Sequence, residues 1–147
     1  MFSNIHQWFK EQLTSPTQTV VHSIELATAV LLYEVMRADN KLAAVEQQIY
    51  KQQLEKHFDL SQAAREDLFE LTQIHGEEAT DYQQFTRVIN DIYGADEKRA
   101  VLDSLWSVAY ADHVLSPDED YTIRKIAELL YIPHSQFIQS KLSVKPD

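Results

Sequence analysis

Between residues 19 and 38 the chain reads TVVHSIELATAVLLYEVMRA, in which Val20, Ile24, Ala27, Leu31, Tyr33 and Val35 fall on more than one face of a helix. A helix that is apolar all round belongs in the middle of a core rather than at its surface. Upstream, Phe2, Ile5, Trp8 or Phe9, and Leu13 recur at helical spacing and stop before Pro16, which predicts an amphipathic helix within residues 1–15. That segment lacks the rich basic face of a membrane-surface helix, so packing against its own domain, residues 16–147, is favoured. After a DNKLA turn, Val45, Ile49, Leu54 and Phe58 mark an amphipathic helix, interrupted at Asp59 and Leu60.

Start and stop signals divide the remainder. Ser61 is placed to cap QAAREDLFELTQI through its side-chain oxygen. The polar stretch around Gly76 leads to YQQFTRVINDIY, which Gly94 is expected to close in the left-handed conformation, with Asp96 capping the next helix, EKRAVLDSLWSVAYA. Ser116, Pro117 and Glu119 then give a capping box with proline at the first helical position. Pro133 ends that helix, and HSQFIQSKL predicts a short terminal one. The pattern is that of an all-α, single-domain helical bundle of about seven to eight helices.

Two parts of this pattern match each other. Laid over each other at one fixed offset, YEVMRADNKLAAVEQQIYK and WSVAYADHVLSPDEDYTIR pair Val35 with Val108, Ala38 with Ala111, Asp39 with Asp112, Leu42 with Leu115, and Glu46 with Glu119. The matches fall on a helix end, a turn and a helix start, so they read as one helix-turn-helix hairpin used twice. Leu42 and Leu115 are expected to point inward from the turns.

Composition narrows the chemistry. The 147 residues are 44% hydrophobic and 10% aromatic, with two glycines and four prolines, which favours a folded helical domain. The net charge of −10, with no Lys/Arg cluster against it, opposes nucleic-acid binding. The start of the chain lacks a continuous apolar leader core, and LATAVLLYEVM is too short and broken by Glu34 to span a bilayer. A cytoplasmic protein without a transmembrane segment is the expectation. With no cysteine, any metal must be held by oxygen or imidazole ligands.

The repeated carboxylates raise two readings. If the hairpins pack about a pseudo-two-fold axis, Asp39, Glu46, Asp112 and Glu119 converge, and their repulsion calls for a cation. Alternatively Glu119 completes a capping box with Ser116, and Asp112 accepts from turn N–H groups. In the first copy the cap position is Ala43, which has no side-chain oxygen, so capping alone leaves Glu46 unexplained. Oxygen ligands favour hard cations, calcium first, ahead of magnesium. His113 would move the preference toward manganese or zinc, against its simpler role as a solvent-facing turn residue. DNKLAAVE is not an EF-hand loop, since it lacks the central glycine and the twelve-residue spacing.

At RADNKLAAVE, FDLS and LWSVAYADHVLSPDE the chain resembles the TerB family of tellurite-resistance and stress-response proteins, and the related domain that precedes the J-domain of a membrane-anchored co-chaperone. The resemblance covers roughly residues 20 to 140. It implies an internally duplicated helical bundle whose repeated acidic residues, here Asp39, Glu46, Asp112 and Glu119, bind metal. It also implies a protein partner, such as a membrane-associated stress complex. The family commonly writes Ala-Asp-Gly at both elbows, whereas Asn40 and His113 stand at the glycine positions here. Both residue types tolerate positive φ.

Enzymatic readings find little support. No glutamate is followed three positions later by histidine, as di-iron bundles require, and the histidines at 6, 22, 57, 75, 113 and 134 show no HExxH spacing. His22 and His57 read as surface or satisfied, partly buried residues. The expectation is a non-enzymatic, metal-responsive stress or signalling module, with a metal-independent adaptor or co-chaperone-like domain as the alternative. Metal-assisted hydrolysis is disfavoured, and the oligomeric state is not legible.

Overall fold

The computed structural model describes residues 16–38, 44–78, 82–111 and 114–146, with side chains described at 24–38, 44–74, 82–111 and 114–146. The helix expected within residues 1–15 lies outside them. Among the described residues seven helices follow in order: α1 (Pro16–Met36), α2 (Ala44–His57), α3 (Gln62–Glu78), α4 (Gln83–Ile92), α5 (Ala95–Ala109), α6 (Pro117–Leu129) and α7 (His134–Val144). Helix α1 begins at Pro16, ahead of the expected Thr19, because proline has no N–H to lose in a first helical turn. Every residue from Ala27 to Met36 is buried, as its all-round apolar pattern predicts. No helix among the described residues is long and apolar enough to cross a membrane.

The duplication extends beyond the hairpins. The offset that aligns Asp39 with Asp112 also carries the start of α2, Ala44, onto the start of α6, Pro117, and the end of α1, Met36, onto the end of α5, Ala109. The third helices, α3 and α7, start at Gln62 and His134, within one position of the same offset. Each copy is therefore three helices, and α4 joins them. Helix α1 packs on α2 and α3, α5 packs on α6 and α7, α1 packs on α5, and the copies cross-pack as α1 on α6 and α5 on α2. That pairing is what a pseudo-two-fold axis between the copies produces. Helix α4 lies on α1 and α6 and has no counterpart among the described helices.

Several boundaries obey local chemistry. Ser61 Oγ accepts from Ala64 N at 3.2 Å, as expected of a cap. Gly94 does not close α4 in the left-handed region. Its φ of −85° and ψ of −172° are extended, and α4 ends instead at extended Tyr93. Gly94 is the N-cap of α5, its N–H donating to Glu97 Oε1 at 2.8 Å, so Asp96 is a first-turn residue rather than the cap. A carboxylate there still favours the helix through its dipole.

The left-handed residue belongs to the end of α6. Tyr131 has φ of 59°, with Tyr131 N donating to Glu128 O and Ile132 N donating to Ala127 O, each at 3.0 Å. This is a Schellman closure with tyrosine where glycine usually stands. From α4, Asn90 Nδ2 donates to Leu129 O at 2.9 Å and satisfies another carbonyl of the same helix end.

Helix α7 is fastened to the second hairpin by rings and charges. Phe137 meets Trp106 edge-on at 5.4 Å, and Trp106 stacks with Tyr110 at 5.9 Å. Lys141 Nζ pairs with Asp120 Oδ2 at 2.7 Å while lying 5.4 Å from the Trp106 ring centre. In the first copy the corresponding aromatic packing is Tyr33 on Tyr50 at 6.3 Å and Tyr50 on Phe69 at 5.2 Å.

Candidate metal centre at the paired elbows

Both first helices end in the same hydrogen-bonded turn. Arg37 N donates to Tyr33 O at 3.0 Å and Ala38 N to Val35 O at 3.2 Å; at the equivalent positions of the second copy, Tyr110 N donates to Trp106 O at 2.9 Å and Ala111 N to Val108 O at 3.2 Å. Ala38 and Ala111 therefore leave their helices alike, each directly before an aspartate in sequence. Leu115 is partly buried against the core, as expected of the second turn. Leu42, Asp39, Ala43, Asp112 and His113 lie outside the described residues.

The glutamates that follow are described, and their placement differs from the amphipathic reading of α2. Val45 is exposed, and the buried stripe runs through Glu46, Tyr50 and Leu54. That spacing is helical, but its first member is a carboxylate. The matching stripe on α6 is Glu119, Ile123 and Ala127. Glu46 and Glu119 are each 1% exposed. A periodicity read from apolar residues alone, through Val45, Ile49, Leu54 and Phe58, missed this because it counts no carboxylate as a member of a buried stripe.

Burial of a carboxylate is costly unless hydrogen bonds or a cation compensate it. For Glu119 the compensation includes the cap: Ser116 N donates to Glu119 Oε1 at 3.0 Å, and Glu119 N donates to Ser116 Oγ at 3.1 Å. Both glutamates also stand in the first helical turn, where the dipole favours negative charge. The donor set is oxygen, the chemistry a hard divalent cation takes. Among the described residues no group of three or more His, Asp or Glu side chains is placed to hold a metal ion. The two described glutamates are half of the expected set.

A third buried carboxylate, Glu34, stands in the last turn of α1. It is 6% exposed, its Oε2 accepts from Arg37 Nε at 3.1 Å, and its Oε1 is buried with no hydrogen-bond donor among the described residues. Burial pushes its pKa up, and Arg37 opposes the shift. Tyr82, ahead of α4, has its pKa raised by burial and then by the charge of Glu34, while a hydrogen bond with Thr122 of α6 opposes the rise. Tyr82 thus feels the Glu34 charge at the end of one copy's first helix and bonds to Thr122 on the other copy's second helix. Sequence pattern registered Glu34 only as an interruption of an apolar run.

His57 is satisfied in the interior, as its sequence setting suggested. Ser104 Oγ donates its only proton to Gln53 Oε1 at 2.9 Å, so the 2.7 Å contact with His57 Nε2 is a bond that the imidazole donates. Burial, followed by the nearby charge of Lys56, lowers the His57 pKa. The serine proton points away from the histidine, opposite to the arrangement that activates a serine nucleophile.

A family model described as tellurite resistance protein TerB matches residues 25–142. No curated protein and no solved structure matches the chain.

Proposed function

The chain belongs to the TerB family, and on that premise we propose that it is a non-enzymatic module related to tellurite resistance that responds to a divalent cation. Asp39, Glu46, Asp112 and Glu119 are the residues that would hold the ion. When bound, it would neutralise their charges and draw the two hairpins together, calcium suiting an all-oxygen set best. The reading is supported chiefly by one observation: the buried stripes of α2 and α6 both open with a glutamate, Glu46 and Glu119, at equivalent positions of the two copies. Cation binding would favour one arrangement of the hairpins and so alter a surface offered to a protein partner.

A second reading, a metal-independent adaptor, is favoured by the Ser116–Glu119 capping box, which gives Glu119 a role that needs no ion. Isothermal calorimetry of metal-free protein with Ca²⁺, Mg²⁺, Mn²⁺ and Zn²⁺ separates the two. Saturable heat for one ion, lost in Asp39→Asn with Asp112→Asn, is the expected result. No saturable heat with any ion would leave the adaptor.

A further inference from the structure

A groove of about 410 Å³ opens between α2 and α3, floored by Leu54 and Phe69. Its volume lies within the range of roughly 300–1,000 Å³ usual for small-molecule sites. Charges of both signs stand around that floor. Across one end Arg65 Nε pairs with Glu55 Oε1 at 3.4 Å, so those two neutralise each other. Lys51 Nζ lies 4.9 Å from the centre of the Phe69 ring and has no carboxylate partner among the described residues. Glu66 and Glu70, one turn apart on the facing helix, line the groove with no cation paired to either among the described residues.

The duplication supplies an internal comparison. Counted from the helix starts, Gln62, Glu66 and Glu70 of α3 are replaced by His134, Ile138 and Leu142 of α7, and Arg65 and Phe69 by Phe137 and Lys141. Lys51 becomes Arg124, whose Nη2 is held 3.7 Å from Asp120 Oδ1. The residue matching Asp120 in the first copy is Gln47, so no acid is supplied to Lys51 from that position. Among the described residues, the first copy alone sets an ammonium without a carboxylate and two carboxylates without a cation around an apolar floor.

The geometry points to a binding site for a zwitterionic small molecule with an apolar body, the class of free α-amino acids with apolar side chains. The ligand carboxylate meets Lys51, its ammonium meets Glu66 and Glu70, and its side chain covers Leu54 and Phe69. A ligand of one sign would face an uncompensated like charge on one wall, which is how the lining discriminates.

The test is a two-dimensional amide NMR titration of the full chain with L-leucine, N-acetyl-L-leucine and L-leucinamide. Leucine is expected to give saturable shifts confined to α2 and α3, and each derivative to bind about tenfold more weakly, having lost one charged contact. Lys51→Gln weakens leucine and N-acetyl-leucine but tightens leucinamide, whose like-charged wall it removes. Glu66→Gln with Glu70→Gln weakens leucine and leucinamide but tightens N-acetyl-leucine, and Arg124→Gln on α6 changes nothing. These positions are exposed, so an unchanged amide spectrum away from the groove verifies the fold. Absence of saturable shifts, equal binding of all three probes, or leucine binding indifferent to Lys51→Gln would overturn the assignment.

Discussion

Glu46 and Glu119 hold the same place in two copies of one hairpin: third residue of the second helix, first residue of its buried stripe, and 1% exposed. Only the second has a serine before it to share a capping box, Ser116. Capping and cation binding therefore make different demands on Glu119. Ser116→Ala is expected to cost about 1 kcal/mol whatever ions are present, by loss of the cap. Glu119→Gln keeps an acceptor for the Ser116 N–H while removing the charge. It should cost less than Ser116→Ala in metal-free protein yet abolish any rise in melting temperature on adding Ca²⁺. Thermal melts of both variants with and without the ion check this.

Glu34 provides a pH dependence whose sign is fixed by its raised folded pKa. Between the ordinary glutamate value and that raised value the folded chain binds more protons than the unfolded one, so this group's contribution to stability falls as pH rises through the window. Above the folded pKa the burial penalty is complete; below the unfolded pKa it has gone. Glu34→Gln should stabilise the fold at neutral pH and flatten that part of the profile. Denaturant unfolding of both proteins across the window reads the difference, and equal slopes would remove Glu34 as its source.

Tyr131 closes α6 from the left-handed region at 79% exposure, with Lys98 Nζ 5.9 Å from its ring centre. The conformation costs an L-residue roughly 1–2 kcal/mol, and a distant, exposed cation–π contact returns at most about 0.5–1 kcal/mol. Tyr131→Gly is expected to raise stability by about 0.5 kcal/mol, part of the relieved strain being offset by glycine's freedom in the unfolded chain. A lower unfolding midpoint for the variant would show that the ring contributes more than its visible contacts.

The helices, their duplication and the cap at Ser116 were legible because they rest on period, offset and local hydrogen bonding, all of which sequence carries directly. The burial of Glu46 was hidden by its type, since a carboxylate among Val45 and Ile49 looks like the polar edge of an apolar face. Gly94 misled for a related reason: its freedom to go left-handed was not needed where the chain passes from extended Tyr93 straight into a new cap. The bond of Tyr82 to Thr122 and its nearness to the Glu34 charge involve residues far apart in sequence, which no local pattern announces. The third helices, α3 and α7, share little sequence, so the full three-helix repeat emerged only from packing and helix starts.

If, as proposed, the four elbow carboxylates act together on a cation, thermal melting of metal-free protein titrated with Ca²⁺ shows it most directly. At about one hundred times the dissociation constant, binding to the folded state alone adds about 2.7 kcal/mol. For a chain of this size that is a rise of roughly 5–11 °C. Such a saturable rise is expected in the wild type and none in Asp39→Asn with Asp112→Asn. No rise in the wild type, or the same rise in that double variant, would contradict the proposal.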